Sequence, residues 1–170
     1  TEYHKTDCLN PYASSKLCVE EISSMYNKLY GTNVINLRYF NVYGERMPSR
    51  GQYAPVIGIF FRQKSNGESL TVVGDGKQSR DFVHVGDVVS ANIAAATTKN
   101  KFAFGENYNV GTSKCHAVLD IANIINGDNY VFIPERKGEA RSSVANINKT
   151  KETLKWNPKV NLQEWIKNKL

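Results

Sequence analysis

Asn10-Pro11 and Gly31 bracket a run, YASSKLCVEEISSMYNKLY, that contains no other helix breaker. Asn favours the N-cap, Pro suits the first helical position and Gly is the usual stop, so the spacing predicts one helix over residues 11–30. Directly beyond it, NVINLRYFNVYG (33–44) is rich in Val, Ile, Tyr and Phe and reads as one buried strand. A helix that feeds such a strand is half of a βαβ unit, and this junction constrains the fold more than any other feature. The class it predicts is α/β.

The rest of the chain keeps that alternation. ERMPSRGQYAP is a loop, VIGIFFRQKSNG a helix, LTVV and RDFVHV short strands, GDVVSANIAAATTK a helix with Asp87 near its start, and YNVG a strand. KCHAVLDIANIING then reads as a helix, YVFI as a strand and PERKGEARSSVANI as irregular chain, and NKTKETLKWNPK and NLQEWIKNKL end the chain, the latter with a capping-box-like Asn161 and Glu164. Gly74-Asp75-Gly76 could suggest a dinucleotide loop, but such a loop must open into a helix facing the phosphates. QSRDFVHV alternates like a strand instead, so a hairpin turn is the expectation. The chain opens on Thr1 with no strand before its first helix and reads as the middle of a larger protein.

Composition removes several classes of function. Three cysteines (Cys8, Cys18 and Cys115) without ligand spacing argue against a disulfide framework or a zinc site, and point to a reducing cytoplasm. A net charge of +6 is spread along the sequence without an aromatic-interleaved basic stripe, so nucleic acid is not an expected partner. No apolar stretch approaches the roughly 18 residues of a membrane span. A small anion needs only two or three well-placed cations, and the mild basicity is compatible with one.

Tyr12 and Lys16 stand four apart and share a helix face. About one such pair is expected by chance in a chain this rich in both residues, so spacing alone carries little. An ammonium beside a phenol does favour the phenolate, which is the form a general base needs. Arg80, Arg136 and Arg141 fall in loops or short strands near Asp81 and Glu139, where guanidinium forks suit a diphosphate and a carboxylate suits ribose hydroxyls. Each taken singly reads as a surface ion pair. His84 reads as a satisfied strand histidine; His4 and His116 share no metal spacing with it.

Taken in order, NPYASSK, LRYFNVYGER, RGQYAPVIGIFF, LTVVGDGKQSRDFVHVGDVV, YNVGTS and PERKGEARSSVANINKTKETLKWNP resemble the C-terminal half of extended short-chain dehydrogenases/reductases acting on nucleotide sugars. The nearest likeness is to UDP-glucose and UDP-N-acetylglucosamine 4-epimerases. The resemblance implies the end of a Rossmann-like NAD-binding fold over residues 1–44 and, over 45–170, mainly a smaller nucleotide-sugar-binding domain. It makes Tyr12 the catalytic base and Lys16 the cation that assists it and holds the nicotinamide ribose. Tyr39 and Val42 flank the nicotinamide, and Asn41 meets the substrate's phosphates. Val72 lies on the uracil-facing strand, Arg80 and Arg136 clamp the diphosphate, and Glu139 takes the uridine ribose. Ser143 stands beside the sugar's C2 substituent, where a small residue leaves room for an acetamido group.

The chain departs from that pattern in having Glu139 and Asn146 where many relatives have Asp. The family's Gly-rich loop and catalytic Ser/Thr precede the tyrosine and are not in this sequence. The implied activity is an NAD-dependent nucleotide-sugar 4-epimerase when intact, inactive as this chain alone, with UDP-sugar as substrate. A 4,6-dehydratase and a non-catalytic nucleotide-sugar-binding module are the alternatives. A homodimer through the first helix is implied too, with Cys18, Ile22, Met25 and Leu29 forming either that interface or ordinary core.

Overall fold

The computed structural model describes residues 1–51, 54–135 and 140–170. Helix α1 (Pro11–Tyr30) starts and stops where its sequence signals stand. The Asn10 side chain accepts from the Ala13 amide at 2.9 Å, and Gly31 takes φ 66° while its amide donates to the Asn27 carbonyl. The apolar run after it forms two strands, β1 (Asn36–Tyr39) and β2 (Asn41–Tyr43). The break at Phe40 changes partners: β1 lies parallel to Asn107–Val110 and β2 parallel to Ser79–His84. The Phe40 amide donates to the Val110 carbonyl at 3.0 Å, so the break leaves no donor unsatisfied there.

Beyond β2 come α2 (Val56–Ser65), β3 (Leu70–Val73), β4 (Ser79–His84) and α3 (Val85–Thr97). They are followed by β5 (Asn107–Val110), β6 (Cys115–Ala117), α4 (Val118–Asn126), β7 (Tyr130–Ile133), β8 (Ser142–Ser143), α5 (Asn148–Leu154) and α6 (Leu162–Lys167). The sequence suggests a hairpin between β3 and β4, and the structure has none. β3 pairs parallel with β7, whereas β4 pairs with β2, β6 and β8. Gly74-Asp75-Gly76 instead carries the chain from one sheet to another. A Cβ on Gly76, at φ 69°, would stand 2.8 Å from Val72 Cγ1, which explains a glycine there. The expected helix at 114–127 gives Cys115–Ala117 to β6 before it begins.

Two cores result. Ile57 and Phe60 of α2, Leu70 and Val72 of β3, Ile121 and Ile125 of α4, and Leu162 and Ile166 of α6 form one. Val83, Val88, Ala91, Tyr108, Val110, Ile147 and Leu154 form the other, with Leu37, Phe40 and Val42 packed on it. β2 runs between them, because Tyr43 belongs to the first core while Val42 packs on the second.

Buried carboxylates lock the connections around β4. Asp81 is fully buried, and burying a carboxylate is costly unless donors surround it. It accepts from the Thr112 amide at 2.8 Å and hydroxyl at 2.7 Å, the Ser113 amide at 2.9 Å and the Ala145 amide at 3.1 Å. Asp87 likewise accepts from the amides of Lys159 at 2.9 Å and Val160 at 3.0 Å.

Helix α1 is attached differently. It buries no residue, and a polar clamp ties it to the sheet: Arg38 of β1 donates from Nε to Glu20 Oε1 at 2.7 Å and from Nη2 to Glu20 Oε2 at 2.5 Å. Asn107 of β5 adds a bond to the same carboxylate at 3.1 Å. The Glu20 hydrogen bond is the main reason the Arg38 guanidinium is pushed above its ordinary pKa.

Candidate active site

A cleft of about 870 Å³ opens where the two cores meet. Its rim begins at the N-terminus of α1 with Asn10, Pro11 and Tyr12, continues through Phe40, Asn41 and Val42 at the strand break, and passes to Pro55, Val56 and Ile59 at the start of α2. Its floor comes from strands. On β4 the side chains alternate, so Arg80 and Phe82 face the cleft while Asp81 turns into its buried hydrogen-bond set. On β3 the same alternation sends Thr71 and Val73 to the cleft. Val72, the residue singled out from the sequence, points into the first core instead. In LTVV the adjacent Val72 and Val73 do not disclose which face is the exposed one, and Thr71 was the only hint.

Tyr12, Asn41, Val42 and Arg80 are thus brought to one cavity from three separate stretches of chain. Asn41 is fixed by a bond from its Nδ2 to the Asp81 carbonyl at 2.9 Å. Arg80 donates from Nη1 to the Ser79 carbonyl at 2.9 Å. Lys16 lies one helical turn beyond Tyr12, exposed, with Nζ 5.3 Å from the centroid of the Tyr12 ring. Gln78, which lines the cleft and bonds to the Val73 carbonyl at 3.0 Å, had no sequence signal of its own.

A second cavity, about 630 Å³, shares Phe40 and Asn41 with the cleft and is bordered by Tyr39, Asn109 and Ser143. Ser143 is half-buried on β8, in register with Arg80 of β4. Tyr39 donates from its hydroxyl to Asn92 Oδ1 at 2.9 Å. Arg136 and Glu139 lie outside the described residues, and with them the expected second half of the diphosphate clamp.

Arg141 is engaged elsewhere. Its fork meets Asp75 at 2.8 and 2.6 Å, and that contact is the largest cause holding the Asp75 carboxyl down to about 2. His84 caps α3, with Nδ1 accepting from the Gly86 amide at 3.1 Å. Asn146 accepts from the Asn148 amide at 3.0 Å, a local turn contact. Among the described residues no three His, Cys, Asp or Glu side chains are grouped to hold a metal ion, and no helix is long and apolar enough to cross a membrane.

Known proteins resemble this arrangement closely. Residues 1–111 match the model of the NAD dependent epimerase/dehydratase family. A putative UDP-glucose 4-epimerase of Methanocaldococcus jannaschii is 39% identical over 171 residues, which cover 98% of this chain and 54% of the relative. The structure of a UDP-N-acetylglucosamine 4-epimerase from Methanobrevibacter ruminantium M1, in complex with UDP-N-acetylmuramic acid, is 31% identical and superposes with a TM-score of 0.90 over 98% of this chain and 54% of that one. A Thermotoga maritima UDP-glucose 4-epimerase with UDP-glucose gives 36% identity and a TM-score of 0.87 over 95% and 52% of the respective chains. The chain spans about half the length of the relatives it matches. The family match across nearly two thirds of the sequence, on a fold held in common, makes this chain a member of the NAD dependent epimerase/dehydratase family.

Proposed function

We propose that this chain carries the base and the nucleotide-sugar cleft of an NAD-dependent 4-epimerase acting on UDP-hexoses or UDP-N-acetylhexosamines. The observation that carries the reading is the single cavity shared by Tyr12, Asn41 and Arg80. Residues 1–44 would supply the nicotinamide end of the cofactor site. Residues 45–170 would mainly form the nucleotide-sugar part, with 83–110 and 145–156 returning to pack on the strand at 36–43.

The residues present fit one end of the cofactor. Tyr12 projects from the exposed first turn of α1 at the cleft that Asn41 and Val42 also line, with Lys16 exposed one turn further on; Lys16 would hold the nicotinamide ribose, and Tyr39 and Val42 would flank the ring. NAD held there would supply the hydride acceptor for oxidation at the sugar's C4 and the donor for its return. The chain's own part is to move the proton and orient the sugar. Tyr12 takes the 4-hydroxyl proton and gives it back, and the Lys16 ammonium over its ring offsets negative charge on the phenol oxygen. Arg80 holds the diphosphate, with Arg136 as its expected partner, Asn41 meets the phosphates, and Thr71 and Val73 offer a surface for the uracil beside the expected Val72. Glu139 would take the ribose.

Ser143 borders the adjoining cavity and would leave room at C2. Ser143→Tyr should therefore suppress turnover of the N-acetylated sugar selectively. The exposed Ile22, Met25 and Leu29 of α1 support a homodimer through that helix, and three free, exposed cysteines suit the cytoplasm. The family name joins epimerases with dehydratases; 4-epimerisation is preferred on the names of the similar proteins. The test is calorimetry with UDP on the full-length protein: Arg80→Ala should weaken binding by roughly one to two orders of magnitude. Unchanged affinity would remove Arg80 from the nucleotide site.

A further inference from the structure

We infer that the outer face of α2, together with the loop before it, forms a second anion site that takes a phosphate-type oxyanion and is separate from the cleft. Helix α2 uses two faces. Val56 and Ile59 line the cleft, whereas Gly58, Phe61, Arg62 and Ser65, spaced three and four apart, line a cavity of about 370 Å³ on the other side. The loop after β2 completes it with Arg46 and Ser49. Arg46 and Arg62 both border this cavity, and no described carboxylate lines it.

Among the described residues Nε of Arg62 is buried without a hydrogen-bond partner, and leaving a buried donor unpaired is costly. The acid next to Arg46 in sequence is Glu45, but its carboxylate is already used: Trp165 donates to it at 3.2 Å, Lys169 lies at 3.1 Å and His84 Nε2 at 3.3 Å. Arg46 is therefore not neutralised by its neighbour. Its backbone sits at φ 64°, the left-handed region that non-glycine residues adopt infrequently. A Cβ on Gly58 would stand 2.5 Å from the Pro48 carbonyl, so the loop lies flush against the helix. This packing keeps the Arg46 loop and the Arg62 helix together. A tetrahedral oxyanion offers several acceptors at once, enough for two forks and the Ser49 hydroxyl.

Free phosphate and the phosphate group of a small monoester share this chemistry. The test is a series of ¹H–¹⁵N spectra of the full chain titrated with inorganic phosphate and, separately, with glucose 6-phosphate, at constant ionic strength set by chloride. Saturable shifts are expected at the amides of Ser49, Gly58 and Ser65. Arg62→Gln and Arg46→Gln should each weaken them roughly tenfold to a hundredfold, while Arg80→Ala leaves them unchanged. Tighter binding of the ester would assign the site to a phosphorylated metabolite, and equal binding to the phosphate group alone. Shifts confined to Thr71, Gln78 and Arg80, or shifts at α2 that both folded Gln variants retain in full, would overturn the second site and leave the nucleotide cleft standing.

Discussion

Helices α1 and α4 hold their places by opposite means. α4 is nine residues long and buries Val118, Ile121, Ala122 and Ile125, so hydrophobic packing fixes it. α1 is twenty residues long and buries none, relying on the Asn10 cap and the Glu20–Arg38 clamp. The apolar face formed by Cys18, Ile22, Met25 and Leu29 is thus not core within this chain. The helix that carries the proposed chemistry is set by directional polar contacts, and the helix that carries stability is set by buried area. Function and stability should therefore separate under mutation.

The largest separation is expected at Tyr12. In the full-length protein Tyr12→Phe should lower kcat for C4 interconversion by about 10²–10⁴-fold, with stability and UDP affinity nearly unchanged, as steady-state kinetics and calorimetry would show. On the other helix, Ile125→Ala should cost about 2–5 kcal/mol in urea unfolding, whereas Ile22→Ala on α1, measured on this chain as a monomer, should stay within about 0.5 kcal/mol of the native chain. A large loss at Ile22 in the monomer would break the contrast and show that its face is covered within the chain. Glu20→Ala strips Arg38 and Asn107 of their acceptor and should cost about 1–3 kcal/mol, with a fall in kcat as α1 loses its attachment.

The smallest effect concerns pH. Asp75, held to about 2 from an ordinary 3.8 chiefly by Arg141, has a folded value below its unfolded one. Its contribution to stability is present above the unfolded value and is lost as pH falls toward 2. Asp75→Asn should flatten that part of the acid-unfolding curve measured by circular dichroism, and an unchanged slope would discount the Arg141 contact.

What could be read in advance depended on how local the signal was. The bounds of α1 were fixed by Asn10, Pro11 and Gly31, whose effects act within one turn, and they coincide with the structure. The break at Phe40 was hidden because the run from Asn33 to Gly44 holds no glycine or proline between its ends, and only the partners Asn107–Val110 and Ser79–His84 divide it. The cleft face of β3 was hidden for a similar reason, since Val72 and Val73 are the same residue type and only the pleat separates them. Arg141 and Arg80 looked equivalent as sequence. Asp75 engages the first in a fork, a contact across 66 positions that no local pattern encodes. The roles of Glu45 and Arg62 likewise arise from loop, helix and C-terminus meeting in space.

The central claim is that base and nucleotide anchor serve one cleft, and a crystal structure of the full-length protein with UDP-N-acetylglucosamine tests it most directly. The account places the diphosphate against Arg80 and the sugar's 4-hydroxyl within hydrogen-bond reach of the Tyr12 phenol oxygen, about 2.6–3.2 Å. A nucleotide seated away from Arg80, or a sugar whose C4 turns away from Tyr12, would contradict it.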